Sequence, residues 1–118
     1  FRLRGRMPEV CYIDAYDLCI IFSNILSNAF EAVEKVETKW VELSIGFDDE
    51  NIYISEKNIY NGMYRIDHGK IVTGKKDKQA HGLGLENIRD SVSKYHGTLN
   101  YELLKDEFVL EIIMENGE

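Results

Sequence analysis

The spacing of hydrophobic residues along the chain predicts two helices. Apolar residues recur at helical intervals between residues 18 and 36, and Asp14 is a good N-cap, so we expect the first helix over residues 15–36. A second helix is expected over residues 83–95, ended by His96-Gly97. The apolar positions are Leu18, Phe22, Ile25, Leu26, Ala29, Val33 and Val36 in the first helix and Leu85, Ile88, Val92 and Tyr95 in the second.

Alternating apolar and polar residues predict about five strands. We expect them over residues 1–6, 40–47, 52–56, 98–103 and 108–114. The second and third strands should pair as a hairpin across the polar turn 48–51, and the last two as a closing hairpin. Residues 57–80 show little periodicity, and a structureless segment of this length in a compact domain is usually a functional lid or disordered. We expect a lid over about residues 59–80.

The resulting order is β-α-β-β-lid-α-β-β, which predicts a two-layer α/β sandwich of the α+β kind. Its mixed, largely antiparallel sheet should be covered on one face by the helices. The length of 118 residues fits one domain, residues 1–118. Because the chain starts within a strand pattern and without Met, we expect it to be part of a longer protein.

Composition narrows the classes of partner. The net charge of −7 argues against nucleic acid or anionic lipid as the main partner. No stretch has the roughly 18 apolar residues that a membrane span needs, so any membrane contact should come from other parts of the parent protein. Cys11 and Cys19 have no metal-ligand spacing, and we expect two reduced thiols in a cytoplasmic domain.

Two asparagines lie one turn apart on the first predicted helix. Asn24 and Asn28 share a stripe with Glu31 and Lys35, roughly opposite the apolar face. For a lone helix, such a stripe is ordinarily a solvated face. Because Asn is a poor helix former, the functional alternative is that the Asn28 amide oxygen binds Mg²⁺, with Asn24 near phosphates.

The second motif is His81-Gly82-Leu83-Gly84-Leu85, at the predicted start of the second helix. Glycines there let unpaired N–H groups approach phosphate oxygens, although Gly-x-Gly alone is often a tight turn. A basic run, Lys75, Lys76 and Lys78, precedes it. A third segment, residues 55–62, could read an adenine amino group, but alone it is better explained as a turn.

In combination, these motifs resemble the ATP-binding superfamily of type II topoisomerases, heat-shock chaperones, histidine kinases and mismatch-repair proteins. The chain is most similar to the catalytic domain of sensor histidine kinases, the GHKL or HATPase domain with the Bergerat fold, over nearly its whole length. Residues 17–32 resemble the N box and residues 81–85 the second glycine box. The Lys-rich lid followed by His-Gly-Leu-Gly-Leu resembles quorum-sensing kinases of the accessory-gene-regulator type, which respond to peptides.

The resemblance implies roles for particular residues. Asn28 would bind Mg²⁺, Asn24 would contact the phosphates, and Asn58 would read adenine where most of the family has Asp. Gly82 and Gly84 would cradle the phosphates as the lid closes. The implied ATP-binding residues are Asn24, Asn28, Ala32, Asn58, Lys75, Lys76, His81, Gly82, Leu83, Gly84 and Leu85, with Asn24 and Asn28 catalytic. The family's late Gly-Thr box is missing.

The resemblance also bears on the reaction. Hydrolysing members of the superfamily carry a Glu general base four residues before the metal-binding Asn, and Asn24 occupies that position. A neutral amide cannot accept the proton of water, which favours phosphoryl transfer to a separate histidine over hydrolysis. That histidine lies on a dimerising helical hairpin absent from this chain, and the phosphoryl group then passes to a response regulator. The alternatives are a serine-directed kinase or ATPase of the same superfamily, and a non-catalytic interaction module.

Overall fold

The computed structural model describes residues 1–34, 36–37, 40–59, 64–67, 70–73 and 78–117, with the backbone alone described at 64–67, 70–73 and 78–84. This part of the chain forms two helices and seven strands. The helices are α1 (Ala15–Val33) and α2 (Lys78–Ser93). The strands are β1 (Arg2–Gly5), β2 (Val41–Phe47), β3 (Asn51–Ile59), β4 (Tyr64–Asp67), β5 (Lys70–Thr73), β6 (Thr98–Leu103) and β7 (Glu107–Glu115).

Five strands form one mixed sheet in the order β1-β2-β3-β7-β6. Strand β1 is parallel to β2, as two strands joined through a helix can be, and the other neighbours are antiparallel. The predicted edge strand and both predicted hairpins are therefore confirmed. The mixed, largely antiparallel α+β sandwich is confirmed with them.

Both helices cover the same face of the sheet. The hydrophobic core lies between the helices and the sheet. It contains Ile21 and Ile25 of α1, Ile88 and Val92 of α2, and alternate apolar residues of the central strands. A smaller cluster beside it consists of Ala29, Val33 and Val41. Within the described residues, no helix is both long and apolar enough to cross a membrane.

The first helix begins as predicted and ends earlier. The Asp14 side chain accepts a hydrogen bond from the Tyr16 N–H at 2.8 Å, which confirms it as the N-cap. The helix ends at Val33 rather than at residue 36, because Glu34 N–H donates to the Glu31 carbonyl in a tighter turn. Ile21, fully buried, was missed as a core residue.

The second helix differs at both ends from residues 83–95. It begins at Lys78, because Lys-Gln-Ala extends the helix on the N-terminal side of the glycines. It ends at Ser93, and the left-handed residue that follows is His96 (φ 53°) rather than the expected glycine. Gly97 is needed for another reason, since a Cβ there would lie 2.4 Å from the Ile113 carbonyl oxygen.

The segment predicted as a lid without regular structure also needs correction. Strands β4 and β5 pair as a separate antiparallel hairpin, in which Tyr64 lies opposite Thr73. Their β-branched and aromatic residues suit strands, although the short runs gave no clear alternation. At the two ends of the predicted lid, Ile59 belongs to β3 and Ala80 to α2.

Candidate functional site

The N-terminal end of α1 is held against the C-terminal end of α2 by a buried carboxylate. Asp17, only 5% exposed, accepts hydrogen bonds from the Tyr95 hydroxyl at 2.5 Å and from Lys94 Nζ at 3.0 Å. The Tyr95 hydroxyl in turn accepts a hydrogen bond from the Asp14 backbone N–H at 3.0 Å. A buried charge needs such partners, and these three bonds fix the two helices antiparallel.

The ionisation of this cluster is set by the same bonds. The Tyr95 hydroxyl and the Lys94 ammonium hold the pKa of Asp17 below its usual value, because both hydrogen-bond to the carboxylate form. Burial and the neighbouring carboxylate raise the pKa of Tyr95. Asp17 is therefore ionised at neutral pH and binds Tyr95 in its neutral form.

A cleft of about 430 Å³ lies between the helices. Residues of both helices line it, Asn24 of α1 among them. The lining residues are Tyr16, Ile20, Ser23, Asn24, Asn87, Asp90, Ser91 and Lys94.

Asn24 and Asn28 both lie half-buried on α1. The Asn24 amide Nδ2 donates to the Ile20 carbonyl at 2.8 Å, a bond that does not use its amide oxygen. Asn28 precedes Ala29, which is buried against the sheet, and so lies beside the core rather than on a fully solvated face. Ala32 is half-buried one turn further along the helix.

Asn58 lies on the buried face of β3, where it is fully buried. Its Nδ2 donates to the Ile59 carbonyl at 2.9 Å. Because that carbonyl can only accept, the bond fixes which end of the amide is nitrogen and leaves Oδ1 as the remaining acceptor. Oδ1 is buried and has no hydrogen-bond partner in the described part of the chain.

Sequence reasoning missed Glu56, two residues earlier on the same face of β3. It is 1% exposed, and its Oε2 likewise has no hydrogen-bond partner among the described residues. The predicted strand ended at Glu56, whereas β3 continues to Ile59 and keeps Ile52, Ile54, Glu56 and Asn58 on one buried face. The alternation of residues 52–58 was the signal that could have found it.

The glycine motif lies inside the first two turns of α2 rather than before it. The unpaired N–H groups of that helix start therefore precede His81, and Gly82 and Gly84 lie beyond them. Of His81, Gly82, Leu83 and Gly84 the structure describes the backbone, and Leu85 is buried in the main core. Lys75 and Lys76 lie outside the described residues.

Metal-binding capacity is limited in the described side chains. No group of three His, Cys, Asp or Glu side chains converges there. Cys11 and Cys19 are free thiols.

The fold has many solved counterparts, among them three histidine kinase structures at low sequence identity. The nucleotide-free catalytic domain of histidine kinase ThkA superposes with a TM-score of 0.74 at 17% identity, covering 98% of this chain and 77% of that one. The histidine kinase domain of the Erythrobacter litoralis blue-light-activated kinase EL346 gives 0.70 at 18%, covering 96% and 52%. Acinetobacter baumannii histidine kinase AdeS gives 0.67 at 15%, covering 100% and 54%.

The sequence itself has no significant match among the curated proteins. Residues 13–115 match the family model described as GHKL domain, which spans most of the chain. The fold is the five-stranded, two-helix architecture of histidine kinase ATP-binding domains. The chain therefore belongs to the GHKL domain family.

Proposed function

We propose that this chain is the ATP-binding catalytic domain of a sensor histidine kinase, which binds Mg-ATP and donates its γ-phosphate to a histidine on a separate helical hairpin. The observation that carries the proposal is the buried acceptor Asn58 Oδ1, which has no partner among the described residues. A buried polar atom without a partner costs free energy unless a ligand or water satisfies it.

Adenine supplies the donor that this atom needs. Its exocyclic N6 amino group donates hydrogen bonds, and Asn58 offers only its oxygen because Nδ2 is engaged with Ile59. Asn58 thus serves as an acceptor in the same way as the Asp that most of the family has. The base would contact the sheet at Asn58 on β3.

The triphosphate would lie toward α2, the helix that contains the glycine motif. What supports this is that Asn24, four residues before Asn28, lines the cleft between α1 and α2, and α2 contains Gly82 and Gly84. Asn28 and phosphate oxygens would hold Mg²⁺, and Lys75 and Lys76 would neutralise phosphate charge. Bound Mg²⁺ would supply charge neutralisation at the β- and γ-phosphates.

A neutral Asn24 favours transfer over hydrolysis. The side chain hydrogen-bonds to its own helix through Nδ2 and has no basic atom that could take a proton from water. Transfer to an already nucleophilic histidine needs positioning and electrostatic stabilisation instead.

The wider setting follows from the family. The acceptor hairpin belongs to the same kinase, the phosphoryl group goes on to a response regulator, and the domain works in the cytoplasm. The Lys-rich lid ahead of His-Gly-Leu-Gly-Leu supports a peptide-responsive, quorum-sensing kinase. The chain spans about half the length of the EL346 and AdeS structures that it matches, which leaves room in such proteins for the hairpin.

Phosphotransfer to an isolated hairpin of the parent kinase tests the proposal. We expect an acid-labile, base-stable phosphoryl product that depends on Mg-ATP. Asn58→Ala should weaken transfer, and Asn100→Ala, an exposed asparagine on β6, is the matched control that should not. An acid-stable phosphoserine product, or free phosphate without transfer, would contradict the proposal.

A further inference from the structure

Glu56 is a carboxyl group in the middle of the hydrophobic core. Its cross-strand neighbours on the two flanking strands are Leu43 and Leu110, both at most 3% exposed. Burying a carboxyl group among apolar residues is costly, and the Glu56 Oε2 has no partner in the described part of the chain. The fold alone would be better served by an apolar residue here.

Among the side chains that the structure describes, the charged groups on the strands flanking Glu56 do not face it. On the flanking strands, Glu42 and Glu111 lie opposite Lys57 and Ser55, on the other face of the sheet. Of the described side chains of α1 and α2, those that are buried are apolar apart from Ser91 and Asp17, and Asp17 bonds to Lys94 and Tyr95. Burial therefore raises the pKa of Glu56 to about 8, so the group is neutral at pH 7 and carries an O–H donor.

Glu56 and Asn58 form a polar seam between the two apolar clusters. Ile54, the preceding residue on this face, belongs to the main core, and Val41, opposite Asn58, belongs to the smaller cluster with Ala29. Alternate residues of a strand lie roughly 6.6 Å apart, so the two side chains are within reach of one planar base or of one bridging water.

The seam offers a defined hydrogen-bond order. Asn58 presents an acceptor and neutral Glu56 presents a donor. The Watson–Crick edge of adenine presents the complement, the donor N6–H beside the acceptor N1. Guanine presents the reverse, the acceptor O6 beside the donor N1–H, so the same seam would set acceptor against acceptor and donor against donor.

We propose that Glu56 is a second base-recognition residue, which donates a hydrogen bond from its carboxyl group to adenine N1, directly or through one bridging water. This inference rests on the proposed nucleotide site and adds a specificity-determining residue to it. It also accounts for a buried carboxyl group that the packing of the core does not require.

The test is calorimetric titration of wild-type protein, Glu56→Gln and Glu56→Leu with a non-hydrolysable ATP analogue and with its counterpart in which N1 is replaced by C–H. Gln keeps an N–H donor, and Leu removes it. Glu111→Gln, on the opposite face of the sheet, is the matched control. We expect Leu to weaken ATP-analogue binding roughly three- to tenfold, and Gln to preserve it.

The analogue without N1 separates recognition from packing. This analogue should bind wild type and Glu56→Leu equally, because without N1 neither protein can form the hydrogen bond to the base. If Leu weakens both ligands equally, or neither, Glu56 does not read N1 and the inference is wrong. If wild type binds neither ligand, the proposed function itself fails. As a second readout, wild-type affinity should fall above about pH 8 while that of Glu56→Gln stays constant.

Discussion

The Tyr95 hydroxyl donates a 2.5 Å hydrogen bond to Asp17 Oδ2 and thereby joins the residues that follow α2 to the first turn of α1. Lys94 contacts the other carboxylate oxygen at 3.0 Å. Together the two bonds hold the start of α1 against the residues that follow α2 through a buried carboxylate.

Loss of the Tyr95 hydroxyl should destabilise the domain. Tyr95→Phe leaves Asp17 buried with one partner fewer, and we expect the melting temperature to fall by several degrees. Tyr12→Phe, at an exposed tyrosine, is the control and should melt like wild type. A Tyr95→Phe variant as stable as wild type would show that Lys94 alone satisfies the carboxylate.

Glu56 should make stability fall as pH rises. Its pKa is raised on folding, so the folded state holds a proton that the unfolded state releases between about pH 4.5 and 8. Over that window the free energy of unfolding should drop by about 1.4 kcal/mol for each pH unit from this group. Urea unfolding at a series of pH values should show this slope in wild type and its loss in Glu56→Gln, and parallel profiles would refute it.

Asn28 should carry the Mg²⁺-dependent part of nucleotide affinity. Asn28→Ala removes the amide oxygen and should weaken binding roughly tenfold or more with Mg²⁺, and little in its absence. Ser27→Ala, at the neighbouring exposed position, is the control. If Asn28→Ala and wild type bind Mg-ATP alike, the metal ligand lies elsewhere.

We expect Gly82 and Gly84 to affect ATP binding by making the start of α2 easier to unwind. Each glycine costs a helix roughly 1 kcal/mol relative to alanine, so the turns around Gly82 and Gly84 are inexpensive to unwind. If their N–H groups bind phosphate after unwinding, Gly84→Ala should raise stability and lower ATP affinity together. Circular dichroism melting and calorimetry on the same sample measure both, and raised stability with unchanged affinity would leave the motif purely structural.

Much of the fold could be predicted from periodicity alone. The strand pairing around Asp48 and the N-cap at Asp14 follow from local chemistry, and both are present. The start of α2 could not be predicted, because two glycines near its N-terminus read as a turn. The hairpin of β4 and β5 was missed because short strands without clear alternation resemble loops.

The candidate site was predicted only where its residues form motifs. Asn58 was found through the resemblance, and the structure adds the direction of its amide. Glu56 belongs to no motif, and its interest arises from burial without a partner, which depends on the flanking strands. The bond between Asp17 and Tyr95 spans most of the chain and was equally invisible to local patterns.

The central claim is that this domain binds Mg-ATP through contacts to the adenine base and to the phosphates of the nucleotide. Calorimetric titration with a non-hydrolysable ATP analogue, with and without Mg²⁺, tests it most directly. We predict saturable binding that Mg²⁺ strengthens and that Asn58→Ala weakens. Absence of binding at millimolar analogue, in a sample shown by circular dichroism to be folded, would contradict the account and favour a non-catalytic interaction module.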